Sequence, residues 1–156
     1  MTMKTYTEVD QLIVQWKAEG LSKAEIVVQT AEACMGWPYV WGGYGQYCTS
    51  KNRKSFAERS SCPASESAVI VKKCQVLNGS KGDCSGCKWY PGGRTRFFDC
   101  RGFIRWLLQQ AGISLKGSGA DQANAALCLV APLGILDLEI KSFKKKYAHK
   151  KVRGRM

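Results

Sequence analysis

The chain has one histidine among 156 residues, His149, so any imidazole chemistry falls on that single side chain. Acids are also scarce, with 12 Asp and Glu against 24 Lys and Arg and a formal net charge of +12. No apolar run approaches the ~20 residues of a membrane-spanning helix, which excludes a transmembrane segment. The opening MTMKTYTEVDQ is polar and the apolar positions after it are helically spaced, so no cleaved signal peptide is expected. A product made in the cytoplasm follows, with release by some route other than a leader if it acts outside the cell. Internal repeats and phosphate-binding glycine loops are lacking as well.

What is present fits one ordinary domain. Apolar residues make up 45% of the chain, enough for a real core and too many for wholesale disorder. We place a single domain at residues 1–140 and a basic tail at 141–156. The tail carries eight Lys or Arg and no acid. Such a segment attracts polyanions, whether nucleic acid, anionic membrane or an anionic cell-wall polymer such as teichoic acid, or it is simply a solvated terminus.

Two helices are expected first. One covers residues 7–19, capped by Thr7, with Val9, Leu12, Ile13 and Trp16 inward and Gly20 at its end. The second begins at the capping box formed by Ser22 and Glu25 and turns Ile26, Val27, Thr30, Ala31 and Cys34 inward. Cys34 reads as a core residue. The stretch GWPYVWGGYGQ, residues 36–46, then mixes four aromatics with four glycines. Flat apolar surface and close backbone approach suit the wall of a binding cleft, and equally a turn-rich corner of the core.

Residues 45–97 are polar, with one short apolar run at Ala68–Val71, and too long for a bare loop. Five of the eight cysteines fall between Cys48 and Cys87 and would staple this segment. The Cys84–Cys87 C-x-x-C knuckle with two of Cys48, Cys62 and Cys74 suits a tetrahedral structural zinc, with Cys48, Cys74, Cys84 and Cys87 the preferred set. Two disulfides are the competing account.

Arg96–Leu115 holds the other cysteine of interest. Asp99 is a good N-cap and Cys100 takes the first helical position, with Phe103, Ile104, Leu107, Leu108 and Ala111 in one stripe and Gly112 as the stop. A thiol there faces unpaired backbone N–H groups and the positive end of the helix dipole, which favour the nucleophilic thiolate. The alternative is a small apolar residue beneath the helix. Beyond it, Lys116–Gln122 reads as a glycine-rich loop and Leu136–Phe143 as a half-buried strand.

Together the blocks AEACMGWPYVWGG and FFDCRGFIRWLLQQAGISLKGSGADQ resemble the NlpC-type, papain-like cell-wall cysteine peptidases. Gly36, Pro38, Tyr39, Trp41, Gly42 and Gly43 match the first family block. Phe98, Asp99, Cys100, Gly102, Phe103, Ala111, Gly112, Ile113, Asp121 and Gln122 match the second. The cysteine-rich insertion between them resembles versions carried by phages and mobile elements of Gram-positive bacteria. The resemblance implies an α+β fold, with N-terminal helices and the cysteine helix on a small antiparallel sheet. It also implies hydrolysis of amide bonds in peptidoglycan stem peptides at the bacterial cell wall, with no catalytic cofactor.

By that resemblance Cys100 is the nucleophile. Its backbone N–H and the Tyr39 hydroxyl hold the oxyanion. Trp41, Gly42, Gly43 and Gln122 shape the substrate cleft, and Asp99 caps and orients. Arg101 replaces the family's usual Ser and makes the approach to the thiol more cationic. The family's base is a histidine in an H-V-G-x-Y strand. His149 is the one candidate, but its setting KKKYAHKKVRGRM is not strand-like, so the family pattern is expected to break off shortly after Gln122 and leave the sheet incomplete. The alternative function is a non-catalytic, basic, cysteine-rich zinc module binding cell wall or nucleic acid. Against nucleic acid, the insertion lacks a recognisable finger spacing and has few aromatics for stacking.

Overall fold

The computed structural model describes residues 2–114. His149, Gln122, Asp121, the 136–143 strand and the basic tail lie outside the described residues. Within them the fold is α+β. The elements in chain order are α1 (Tyr6–Ala18), α2 (Lys23–Ala33), β1 (Tyr44–Tyr47), α3 (Ser50–Ala57), α4 (Ala64–Lys73), β2 (Arg96–Phe98) and α5 (Cys100–Gln110). None of these helices is long and apolar enough to cross a membrane.

Local sequence chemistry accounts for the helix starts. The first cap is Thr5 rather than Thr7, because Glu8 reaches back to the Thr5 N–H at 2.7 Å while the Thr5 hydroxyl accepts from the Glu8 N–H at 3.2 Å. Ser22 and Glu25 repeat the same reciprocal box at α2. Backbone hydrogen bonds at these boxes hold both glutamates below the usual carboxylate range. Gly20 and Gly112 follow α1 and α5 with positive φ, as helix stops do.

β1 and β2 pair antiparallel, Tyr44 with Phe98, Gln46 with Phe97 and Tyr47 with Arg96, and the register breaks between Tyr44 and Gln46. Gly45 sits in that break at φ 118°, a backbone angle that a side chain would strain. Neighbouring residues of a strand face opposite ways, and β2 uses this to divide two cores. Phe98 faces a core built from Val9 and Ile13 of α1, Ile26, Val27 and Ala31 of α2, and Trp106, Leu107 and Leu108 of α5. Phe97 faces a second core of Val40, Phe56, Ala57 and Ile70. Its ring meets Phe56 edge to face with centroids 5.0 Å apart.

Residues 45–97, expected to be more than a bare loop, supply much of the second core. They fold into α3 and α4, which pack on each other, and their ends enter the sheet. The Thr49 hydroxyl caps α3 by accepting from the Asn52 N–H at 3.0 Å. The expected α2 face holds, with Ile26, Val27, Thr30, Ala31 and Cys34 all buried, while on α1 Val9 and Ile13 are buried and Leu12 and Trp16 are half-buried. On α5 Trp106 is buried as well, outside the stripe read from the sequence.

The tightest backbone approach lies where α5 meets the turn before β1. A Cβ on Gly102 would overlap the Gly43 carbonyl oxygen, and one on Gly43 would stand 2.7 Å from the Phe97 ring and 2.9 Å from the Val40 carbonyl oxygen. Gly102→Ala is therefore expected to destabilise the fold by about 3 kcal/mol or more, since backbone must move. Gly82→Ala, in open space, should stay within about 0.5 kcal/mol of wild type. Urea unfolding followed by tryptophan fluorescence would measure both.

Candidate active site

The site is built at the junction of β2 and α5. Phe98 ends the strand, Asp99 is the N-cap and Cys100 is the first helical residue. The Asp99 carboxylate accepts from the Gly102 N–H at 2.6 Å, and the Asp99 N–H donates to the Gly43 carbonyl at 2.8 Å. One residue thus satisfies an orphan donor of the helix and ties that helix to the glycine turn. Both of its polar functions are structural, as expected for Asp99. Cys100, half-buried at the start of an eleven-residue helix, has the helix N-terminus as its electrostatic setting.

The segment around Tyr39 runs alongside this junction. The Phe98 N–H donates to the Pro38 carbonyl at 3.3 Å, and the Val40 N–H donates to the Phe98 carbonyl at 2.9 Å. Tyr39 and Phe98 form a parallel bridge. These bonds hold Tyr39, which is 42% exposed, two residues from Cys100 across the bridge. The structure therefore brings together the two sequence blocks that carry the family resemblance.

The four aromatics of the first block divide their work. Trp37 stacks on Phe98, centroids 6.2 Å apart, with Trp106 the third member of the cluster. Its indole N–H donates to the Lys4 carbonyl at 2.7 Å. Trp41, expected on the cleft wall, packs half-buried against the second core. Tyr39 and Tyr44 are the exposed pair. Gly42 and Gly43 form the turn that α5 rests on, and Arg101 is exposed on the first turn of α5. With Gln122 and His149 outside the described residues, the candidate site as seen consists of Cys100, Tyr39, Asp99, Arg101 and the glycine turn.

The cysteines fall into distinct environments. Cys34 is buried in the first core, where burial, reinforced by the Asp10 charge, pushes its thiol far up and keeps it protonated. Burial also raises the Cys62 thiol, with Glu66 adding to the shift. Its Sγ lies 3.6 Å from the Pro63 carbonyl oxygen. Among the described residues no three His, Cys, Asp or Glu side chains are grouped so as to enclose a metal ion, so the closed tetrahedron expected from Cys48, Cys74, Cys84 and Cys87 is not formed as these side chains stand.

One residue of interest escaped the sequence reading. Arg53 of α3 is 1% exposed, and its Nε donates to the Cys48 Sγ at 3.2 Å. Its guanidinium also lies 4.5 Å from the centre of the Trp89 ring. A lysine- and arginine-rich octapeptide, SKNRKSFA, gives no local signal that one of its cations is buried.

No family model matches the chain, and no curated protein or solved structure matches it.

The role assigned to Asp99 has a direct check. Asp99→Ala removes the 2.6 Å cap and should lower stability by about 1 kcal/mol, whereas Asp99→Asn, which keeps an acceptor oxygen, should recover most of the loss. Urea midpoints of the two variants decide this.

Proposed function

We propose that the protein is a peptidoglycan amide hydrolase of the NlpC type, with a papain-like arrangement around Cys100. The observation that carries this reading is the junction itself. Cys100 opens α5, Tyr39 is bridged beside it, and the Gly42–Gly43 turn lies against Gly102, so the two family-like blocks share one surface.

In this mechanism the Cys100 thiolate attacks the carbonyl carbon of a stem-peptide amide. The oxyanion of the tetrahedral intermediate is held by the Cys100 backbone N–H and the Tyr39 hydroxyl. Collapse breaks the C–N bond, the amine leaves with a proton, and a thioester remains on Cys100. Water then adds to the thioester, the thiol is released and the acid product departs. His149, the sole histidine, is the candidate proton carrier for both halves. Arg101 beside the thiol would favour an anionic stem peptide, consistent with the overall charge of +12. The basic tail would add attraction to anionic cell-wall polymers.

Purified full-length protein is expected to release soluble muropeptides from isolated peptidoglycan, followed by chromatography and mass spectrometry. Cys100→Ala should lower the rate at least about 1,000-fold, with the folded content unchanged by circular dichroism. His149→Ala should lower it comparably if that imidazole carries the proton. Wild-type protein that is folded and inert on peptidoglycan would overturn the hydrolase reading. An inert protein that becomes active when a histidine-bearing H-V-G-x-Y strand is appended would identify a relative lacking its base.

A further inference from the structure

Among the described residues, Arg53 is buried without an acid to answer its charge. Both terminal guanidinium nitrogens, Nη1 and Nη2, are buried and have no hydrogen-bond partner among the described residues. Its one polar contact of note is from Nε to the Cys48 Sγ, and its one close ring is Trp89. Ion pairs among the described residues are Lys54 with Glu58 and Arg96 with Asp10, so no carboxylate serves Arg53. A guanidinium taken out of water in this way is expensive unless a negative charge stands beside it.

Among the sulfurs expected to bind zinc, that of Cys48 is the one in contact with this cation. Cys48 follows β1, and its N–H donates to the Thr95 carbonyl at 2.8 Å. Cys74 is buried at the C-cap of α4. The adjacent Gln75 donates from Nε2 to the carbonyls of Asp83 and Ser85 at 2.8 and 3.2 Å, which pins the Cys84–Cys87 knuckle to the end of α4. Within the knuckle the Cys87 N–H donates to the Cys84 carbonyl at 3.1 Å, and the Lys81 ammonium donates to the Ser85 carbonyl at 2.7 Å. Cys74 and Cys87 are near enough to Cys48 to act on it electrostatically. Cys62 also packs against the second core, with its Sγ beside the Pro63 carbonyl and with Glu66 and Arg59 nearby.

We propose that Cys48, Cys74, Cys84 and Cys87 close as thiolates on a divalent zinc ion, with Arg53 as the buried counter-charge of the resulting anionic centre. Four thiolates around a divalent cation leave a surplus of negative charge, and soft sulfur donors in a tetrahedral set select zinc. Arg53 decides between the two accounts of these cysteines. A pair of disulfides is neutral and leaves its guanidinium without an anion, whereas a tetrathiolate provides one at the atom Nε already addresses. Closure needs side-chain rotation at the half-exposed Cys84 and Cys87. Arg53 is thus a positioning residue that neutralises and orients a ligand sulfur. The proposal does not depend on the hydrolase reading.

Full-length protein purified without chelator should carry about one zinc per chain by native mass spectrometry and elemental analysis. Cobalt exchanged into the site should give thiolate charge-transfer and tetrahedral ligand-field absorption. Cys74→Ser and Cys84→Ser should lose the metal, and Cys62→Ser should keep it. Arg53→Met should weaken metal retention against a competing chelator by about 10- to 100-fold, with partial rescue in Arg53→Lys. If a serine variant fails to fold, the wild-type cobalt spectrum alone decides the ligand set. Wild-type protein with two disulfides, or with all four thiols alkylated at once and no bound metal under zinc excess, would overturn the proposal.

Discussion

The contact between Gly102 and the Gly43 carbonyl is the constraint on which the site depends. Two backbones meet there with no side chain between them, and only hydrogen atoms at both α-carbons permit it. The Asp99 N–H bond to the same Gly43 carbonyl fixes the approach in direction as well as distance. Cys100 lies between these two anchored residues, so the position of its α-carbon is inherited from backbone geometry. As the proposed nucleophile, a residue held in this way would lose little freedom on binding substrate, which is what preorganisation requires.

Behind that junction, β2 acts as a partition. Phe97 and Phe98 put their rings into separate cores, so one three-residue strand is loaded from both faces. The first core is helical and ties α1, α2 and α5 together. Arg96 extends the tie, reaching Asp10 of α1 at 3.3 Å and the Gly45 carbonyl at 2.9 Å. The second core joins Phe56, Ala57 and Ile70 of the segment between the two family-like blocks to Val40 and Phe97 of the blocks themselves. Such an insertion is then a packed unit that shares a strand with the site, and its removal would strip the Phe97 face of its cover.

Much of this was legible locally. Capping boxes depend on residues three apart, so Ser22 with Glu25 and the Asp99 cap could be read before any fold was known. The two glycines at 42 and 43 announced a close approach, although nothing in the sequence said that Gly102 was the partner. Thr5 was missed in favour of Thr7 because both precede the same apolar stripe, and only the returning Glu8 carboxylate distinguishes them. What stayed illegible were elements whose reason lies far away in the chain. YGQY has no alternation to mark a strand, and it pairs with Arg96–Phe98 only because the cores on either side demand it. α3 has a narrow apolar face, Phe56 and Ala57, and its buried Arg53 reads as one more solvated cation until the cysteines around it are seen.

That arginine joins the two halves of the molecule. β1 begins at Tyr44, against the α5 start, and ends at Tyr47, immediately before Cys48. A four-residue strand therefore has the proposed nucleophile at one end and the Arg53–Cys48 contact at the other. Its register is already irregular at Gly45, and a short irregular strand is weakly specified by pairing alone. A centre that fixes Cys48 to α3, to the end of α4 and to the knuckle would fix the far end of β1 as well. The Tyr44 end would then be held against Gly102 by both the sheet and the insertion. In this arrangement the cysteine-rich segment would be more than a decoration between the two family-like blocks: it would clamp the strand that follows the site's glycine turn.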